Sequence, residues 1–166
     1  ASGTGKTRML EEIENKFKRS GFNLIHLDCS HQTSIRLLKA IIKKLLCFPS
    51  GLAMEWLEEV RLTQYFADIN KDAKFFSAIK SFIQGDYLNA ANLKLISKAI
   101  LLLLDKPVLN NHVLLILDNI QDADSIIEDL VKDINDYFKD RRSHVCVVVA
   151  MNTEVTGKNG LDQESF

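Results

Sequence analysis

Two prolines in 166 residues, Pro49 and Pro107, leave little to interrupt regular structure, and both stand at natural breaks between apolar segments. Cysteine is scarce and odd in number. Cys29, Cys47 and Cys146 are far apart and lie in or beside apolar runs, a pattern of buried free thiols and not of a disulfide framework. No charge of one sign dominates: 21 basic against 22 acidic residues give a formal charge of −1, so no global field advertises nucleic acid or an anionic membrane. A bilayer-spanning run is also missing. The longest apolar stretch, "AILLLLDKPVL", is interrupted by Asp105, Lys106 and Pro107. Together with the absence of a signal-peptide pattern, this makes the cytoplasm the expected compartment.

What is present is apolar material in two periods, at 46% hydrophobic content enough for one domain with a substantial core. "KTRMLEEIENKFKR" places Met9, Leu10, Ile13 and Phe17 at helical spacing, and Gly21 is a fitting stop. "FNLIHLDC" predicts a short buried strand ending near Asp28, and "SHQTSIRLLKAIIKKLL" an amphipathic helix. From about 48 to 111 no strand is expected. "LAMEWLEEVRLTQYFADI", "AKFFSAIKSFI" and "AANLKLISKAILLLL" read as helices divided by the breakers "FPSG", "NKD" and "QGDYLN". "HVLLILDN" and "HVCVVVAMN" then predict two apolar strands, with the helix "DSIIEDLVKDINDYFKD" between them. Asp124 or Ser125 would cap that helix, with Glu128 placed to complete a capping box. Strands without polar interruption, alternating with helices, point to an α/β fold whose parallel sheet is covered on both faces.

The first residues, "ASGTGKTRML", carry the end of the phosphate-binding pattern G-x-x-x-x-G-K-[ST]. Gly5-Lys6-Thr7 match its last three positions, and its first glycine is expected one residue before Ala1, as though the chain were cut inside the loop. Such a loop suits a polyphosphate. Glycines let backbone N–H groups converge, and the helix that follows adds its positive end. The residues expected around the phosphates are Ser2, Gly3, Thr4, Gly5, Lys6, Thr7 and Arg8. Lys6 would reach the outer phosphates, and the Thr7 hydroxyl would help to hold Mg²⁺.

A second signature follows in the right order. A nucleotide-bound Mg²⁺ wants a carboxylate held rigidly beside the phosphates, and Asp118 ends the apolar run "VLLILD". Position 119, where many loop-type ATPases have a water-polarising glutamate, is Asn119, which orients a water but accepts no proton from it at neutral pH. Asp122 or Asp124 would have to substitute, although Asp124 suits a helix cap better. Asn152, at the tip of the last strand, is the candidate to touch the terminal phosphate or the water, with Thr153 second.

With these residues in view, "ASGTGKTRMLEEI" and "VLLILDNIQDADS" resemble the phosphate loop and Walker-B segment of the signal-transduction ATPases with numerous domains. This is the STAND class of P-loop NTPases, related to AAA+ proteins. The layout is similar to the ATPase modules of soluble-type adenylyl cyclases and bacterial transcriptional regulators. The resemblance implies a three-layer P-loop core over 1–153, with a helical insertion at about 48–111 and a polar tail at 154–166. It implies ATP bound by Gly3, Gly5, Lys6 and Thr7 with Mg²⁺ near Asp118, in a nucleotide-dependent switch that acts on neighbouring domains of a longer chain or on oligomeric partners. Asn119 departs from the class pattern and implies weak ATP hydrolysis, or a binding scaffold without turnover. "NLIHLDCSHQTSIRLLKAIIKKL" also resembles origin-recognition AAA+ loaders, which would make the protein nuclear and DNA its partner.

Three other patterns have simpler explanations. His26, Cys29 and His31 form H-x-x-C-x-H, which supplies too few local ligands for zinc. Lys139, Arg141 and Arg142 fit a solvated turn better than a finger reaching a neighbouring nucleotide. Trp56, Phe66, Phe75, Phe76 and Phe82 fit helical core packing better than a docking face.

Overall fold

The computed structural model describes residues 5–47, 73–84, 90–105, 112–140 and 144–151. Within them the order is α1 (Lys6–Arg19), β1 (Asn23–Asp28), α2 (Ser34–Cys47), α3 (Ala73–Gln84), α4 (Ala90–Asp105), β2 (Val113–Asp118), a short 3-10 turn (Ile120–Asp122), α5 (Ser125–Phe138) and β3 (Val145–Val149). The strands form a parallel sheet in the order β1-β2-β3. The helix expected over 52–69 and the tail at 154–166 lie outside the described residues.

The sheet is built around β2, the most apolar strand. Val113, Leu114, Leu115, Ile116 and Leu117 are all buried, because neighbouring strands cover both edges and helices cover both faces. Side chains alternate between those faces. Val113, Leu115 and Leu117 join Ile25 and Leu27 of β1 in the larger core, under α2, α3, α4 and α5. Leu114 and Ile116 turn the other way, onto Leu10, Ile13 and Phe17 of α1. Helix, sheet and helices thus make three layers. At about 1.5–3 kcal/mol for each fully buried aliphatic side chain, these two faces supply most of the drive for β2 to sit centrally.

α1 is terminated by local chemistry. Gly21 takes φ 79°, a left-handed conformation open to glycine, and its N–H donates to the Lys18 carbonyl. Phe22 then turns back, stacking edge-on against Phe17 at 4.7 Å and leading into β1. In the insertion, α3 and α4 bury Ile79, Phe82, Ile96, Ile100 and Leu104 against α2 and α5, so Phe82 is a core residue. No strand occurs among the described residues of that region.

Two local expectations need correction. Of the two expected candidates Asp124 caps α5, its carboxylate accepting from the Ile126 N–H at 3.0 Å, so the capping box is what fails. Glu128 then falls one position beyond the one that closes a capping box. β3 also differs from the fully covered strand expected of "VCVVVA". Its residues are half-buried and Val149 is exposed, because β3 is an outer strand of the three. Beside it, Val131, Ile134 and Phe138 of α5 and Val145, Val147 and Val149 of β3 line a groove of about 320 Å³.

Candidate functional site

Parallel strands end together, so the carboxyl edge of this sheet gathers residues that are distant in sequence. Asp28 of β1 is in register with Asp118 of β2. Both strands read apolar-to-aspartate, "NLIHLD" and "VLLILD", and both aspartates have the parity that turns towards the α1 side.

The start of α1 comes to the same edge. Gly5 is the N-cap residue, at φ 75° and ψ −4°. A Cβ built there meets nothing within 4 Å, so its left-handed backbone, not crowding, is what favours glycine. Its carbonyl accepts from the Met9 N–H at 2.9 Å, which closes the first turn. That turn contains no acidic residue but includes Lys6 and Arg8, cations at the positive end of a helix. This is the wrong sign for the helix alone and the right one for an anionic ligand.

Lys6 and Asp118, 112 positions apart, meet directly. The Lys6 Nζ donates to Asp118 Oδ1 at 2.6 Å and to Asn119 Oδ1 at 2.7 Å. Asp118 Oδ1 also accepts from the Asn119 N–H at 2.7 Å. Asn119 manages these contacts from a left-handed backbone, φ 54° and ψ 44°, which asparagine tolerates better than most residues. That bend turns the chain into the 3-10 segment and points the carboxamide back across the strand ends. Its Nδ2 donates to Asp28 Oδ1 at 2.8 Å. The result is a chain of contacts, Asp118–Lys6–Asn119–Asp28, from the helix cap to the outer strand.

Asp28 is the residue that sequence reading passed over. Its carboxyl is held below the ordinary aspartate value, first by the Asn119 amide and then by bonds from Ser30; burial opposes them, and the Lys6 charge adds the smallest effect. The Ser30 N–H donates to it at 2.9 Å. The signal that could have found it was the shared strand ending in aspartate, but only the pairing register says that the two carboxylates stand side by side.

Thr7 is exposed in the first turn of α1. Arg8 is exposed and pairs with Glu12 at 3.2 Å, one helical turn away. Asp124 is occupied as the α5 cap, and Asp122 lies in the 3-10 turn. Ser2, Gly3, Thr4, Asn152, Thr153, Arg141 and Arg142 lie outside the described residues. The end of β3 nevertheless reaches the site, since the Ala150 carbonyl accepts from the Ile120 N–H at 3.1 Å.

The zinc pattern dissolves. His26 pairs with Glu14 of α1, and Cys29 is buried with its thiol pushed up to about 11, first by burial and then by the charges of Asp28, Asp118 and Asp122. No group of three or more His, Cys, Asp or Glu that could hold a metal occurs among the described residues. Asp118 carries hard carboxylate oxygens of the kind a divalent cation such as Mg²⁺ accepts. Among the described residues, no helix is long and apolar enough to cross a membrane. No family model matches this chain, and neither does any curated protein or solved structure.

Proposed function

We propose that this chain binds ATP with Mg²⁺ at the start of α1, as a P-loop NTPase module of the STAND or AAA+ kind. The bound nucleotide would act as a regulatory switch within a larger multidomain protein. The observation that carries the reading is the 2.6 Å contact between Lys6 and Asp118. A lysine at a glycine-capped helix N-terminus and an aspartate at a buried strand tip are the two groups that a magnesium-bound polyphosphate must find together. Their position outside the carboxyl ends of parallel strands supports it too, since open α/β sheets hold ligands there.

In the absence of ligand, Lys6 serves as counter-ion to Asp118. With a polyphosphate bound, Lys6 would turn to that denser anion and Asp118 would take Mg²⁺ in place of the lysine, so each residue would exchange one charge contact for another. Gly5 keeps the backbone at the helix cap open to the phosphate oxygens. Mg²⁺, held by Asp118 and the Thr7 hydroxyl, would supply charge neutralisation between the outer phosphates. Asn119 has no basic oxygen to take a proton from water, so in this reading turnover is slow unless a carboxylate from another strand serves as base.

Binding of a fluorescent ATP analogue with and without Mg²⁺ tests the proposal. Lys6→Ala is expected to weaken affinity at least tenfold, in line with the loss of one or two charge-assisted bonds. Equal affinity in wild type and Lys6→Ala would end the case.

A further inference from the structure

We propose that Asp28 is the general base of this site, accepting the proton of the attacking water beside Asn119. This rests on the nucleotide reading above and adds a residue to it. The argument starts from what the site lacks. The position after the metal aspartate is an amide. Of the nearby sequence alternatives, Asp124 is spent on capping α5, and Asp122 touches Asn119 through its backbone N–H, whereas Asp28 is joined to the Asn119 amide by its carboxylate. The carboxylate that reaches Asn119 comes from another strand. Asp28 is in register with Asp118, is exposed, and is linked through the Asn119 carboxamide to the lysine at the helix cap.

The geometry gives Asn119 two separate tasks. Its Nδ2 is anchored on Asp28 at 2.8 Å, which fixes which way round the amide lies. Its Oδ1 faces Lys6 at 2.7 Å. When Lys6 moves to phosphate, that carbonyl oxygen gives up the lysine's bond while it lies beside an anionic carboxylate. An amide oxygen and a carboxylate side by side suit a water, which has two protons to donate. The Asn119 oxygen orients the molecule, and Asp28 takes the proton.

In the step itself, a lone pair on the water oxygen forms the bond to the terminal phosphorus. The bond from that phosphorus to the bridging oxygen breaks, and its electrons leave on ADP. The water proton passes to Asp28 and then to solvent, which leaves inorganic phosphate and regenerates the carboxylate. Asp28 already accepts bonds from Asn119 and from the Ser30 N–H, so its carboxylate is held in place before any substrate arrives.

The test compares full-length wild type, Asp28→Asn and Asp28→Glu for MgATP binding, for phosphate release, and for binding of ADP with aluminium fluoride. The last mimics the transferring phosphoryl group and gives a readout without turnover. Asp28→Asn is expected to bind MgATP within threefold of wild type. Its phosphate release should fall at least 100-fold, the usual share of a general base. The extra affinity that aluminium fluoride gives ADP in wild type should disappear with it. Should Asp28→Asn fail to fold, Asp28→Glu keeps the charge but displaces the carboxylate by one methylene, and is expected to lose at least tenfold in turnover with binding retained. Turnover in either folded variant within threefold of wild type would overturn the assignment. So would wild type that binds MgATP but releases no phosphate, although the binding reading would survive. Wild type that binds no nucleotide removes both.

Discussion

The contact between Lys6 and Asp118 can be weighed without any nucleotide. Replacing Lys6 by Met keeps the apolar stem and deletes two donated bonds, at 2.6 Å to Asp118 and 2.7 Å to Asn119. The two side chains are 17% and 18% exposed, so the pair is neither a solvated surface bridge, worth under about 1 kcal/mol, nor fully buried. Bonds to charged groups contribute about 1.5–3 kcal/mol each when lost, and the Asn119 N–H still serves Asp118 in the variant. A net loss of about 2 kcal/mol follows. For a chain of this length that lowers Tm by about 4–8 °C. Asp118→Asn and the double variant complete a cycle in urea denaturation, with an expected coupling of about 1–2 kcal/mol. Because the pair is mostly shielded, most of that coupling should persist in 0.5 M salt. A coupling below about 0.3 kcal/mol would mean that the two residues do not meet in solution, and the site would lose its foundation.

Other outcomes are equally open to measurement. Leu115→Ala, at the centre of the larger core, should cost about 2–5 kcal/mol in urea unfolding, whereas Met9→Ala on the exposed side of α1 should change stability by less than about 0.5 kcal/mol. Asp124→Ala should cost about 1 kcal/mol through loss of the α5 cap, and Ser125→Ala much less, measured the same way. Asp28 has a folded pKa below its unfolded value of about 3.9, so its stabilising contribution is present above pH 4 and disappears as pH falls through the lower, folded value. The stability gap between wild type and Asp28→Asn should accordingly be constant from pH 5 to 7 and close on acidification, and a pH-independent gap would refute the charge-based account. Cys29, buried and with its thiol raised to about 11, should resist alkylation at pH 7.5 in the native protein and react on unfolding, as peptide mapping by mass spectrometry would show.

Much of this arrangement could be read from local pattern. Period 3.6 in "KTRMLEEIENKFKR" and unbroken apolarity in "VLLILD" place α1 and β2 closely, because burial on one helix face and on both sheet faces leaves direct marks on sequence. Lys6 and Asp118 were legible as a pair since each belongs to a motif with its own chemistry. Asp28 was not, because "NLIHLD" reads as one more strand until its partner is known, and register between strands is a non-local property. Asn119 was legible only as a missing acid. Its left-handed backbone and two-way amide come from the bend after β2, which no periodicity records. The half-covered β3 has the same origin: apolar composition says that a strand wants cover, not which neighbours provide it.

The distance in sequence between the two halves of the site bears on how it comes into being. α1 and β1 are neighbours in the chain, but among the described strands β1 pairs only with Val113–Asp118, which is made after α2, α3 and α4. Long-range parallel pairing of this kind is slow, since the loop must close before any contact rewards it. Lysine and aspartate consequently share no surroundings in a partly assembled chain, and a ligand that requires both recognises the finished molecule alone. At a hundredfold excess over its Kd, such a ligand would deepen the native well by about 2.7 kcal/mol, so that under the proposed nucleotide reading the supply of ligand would govern how long the protein survives.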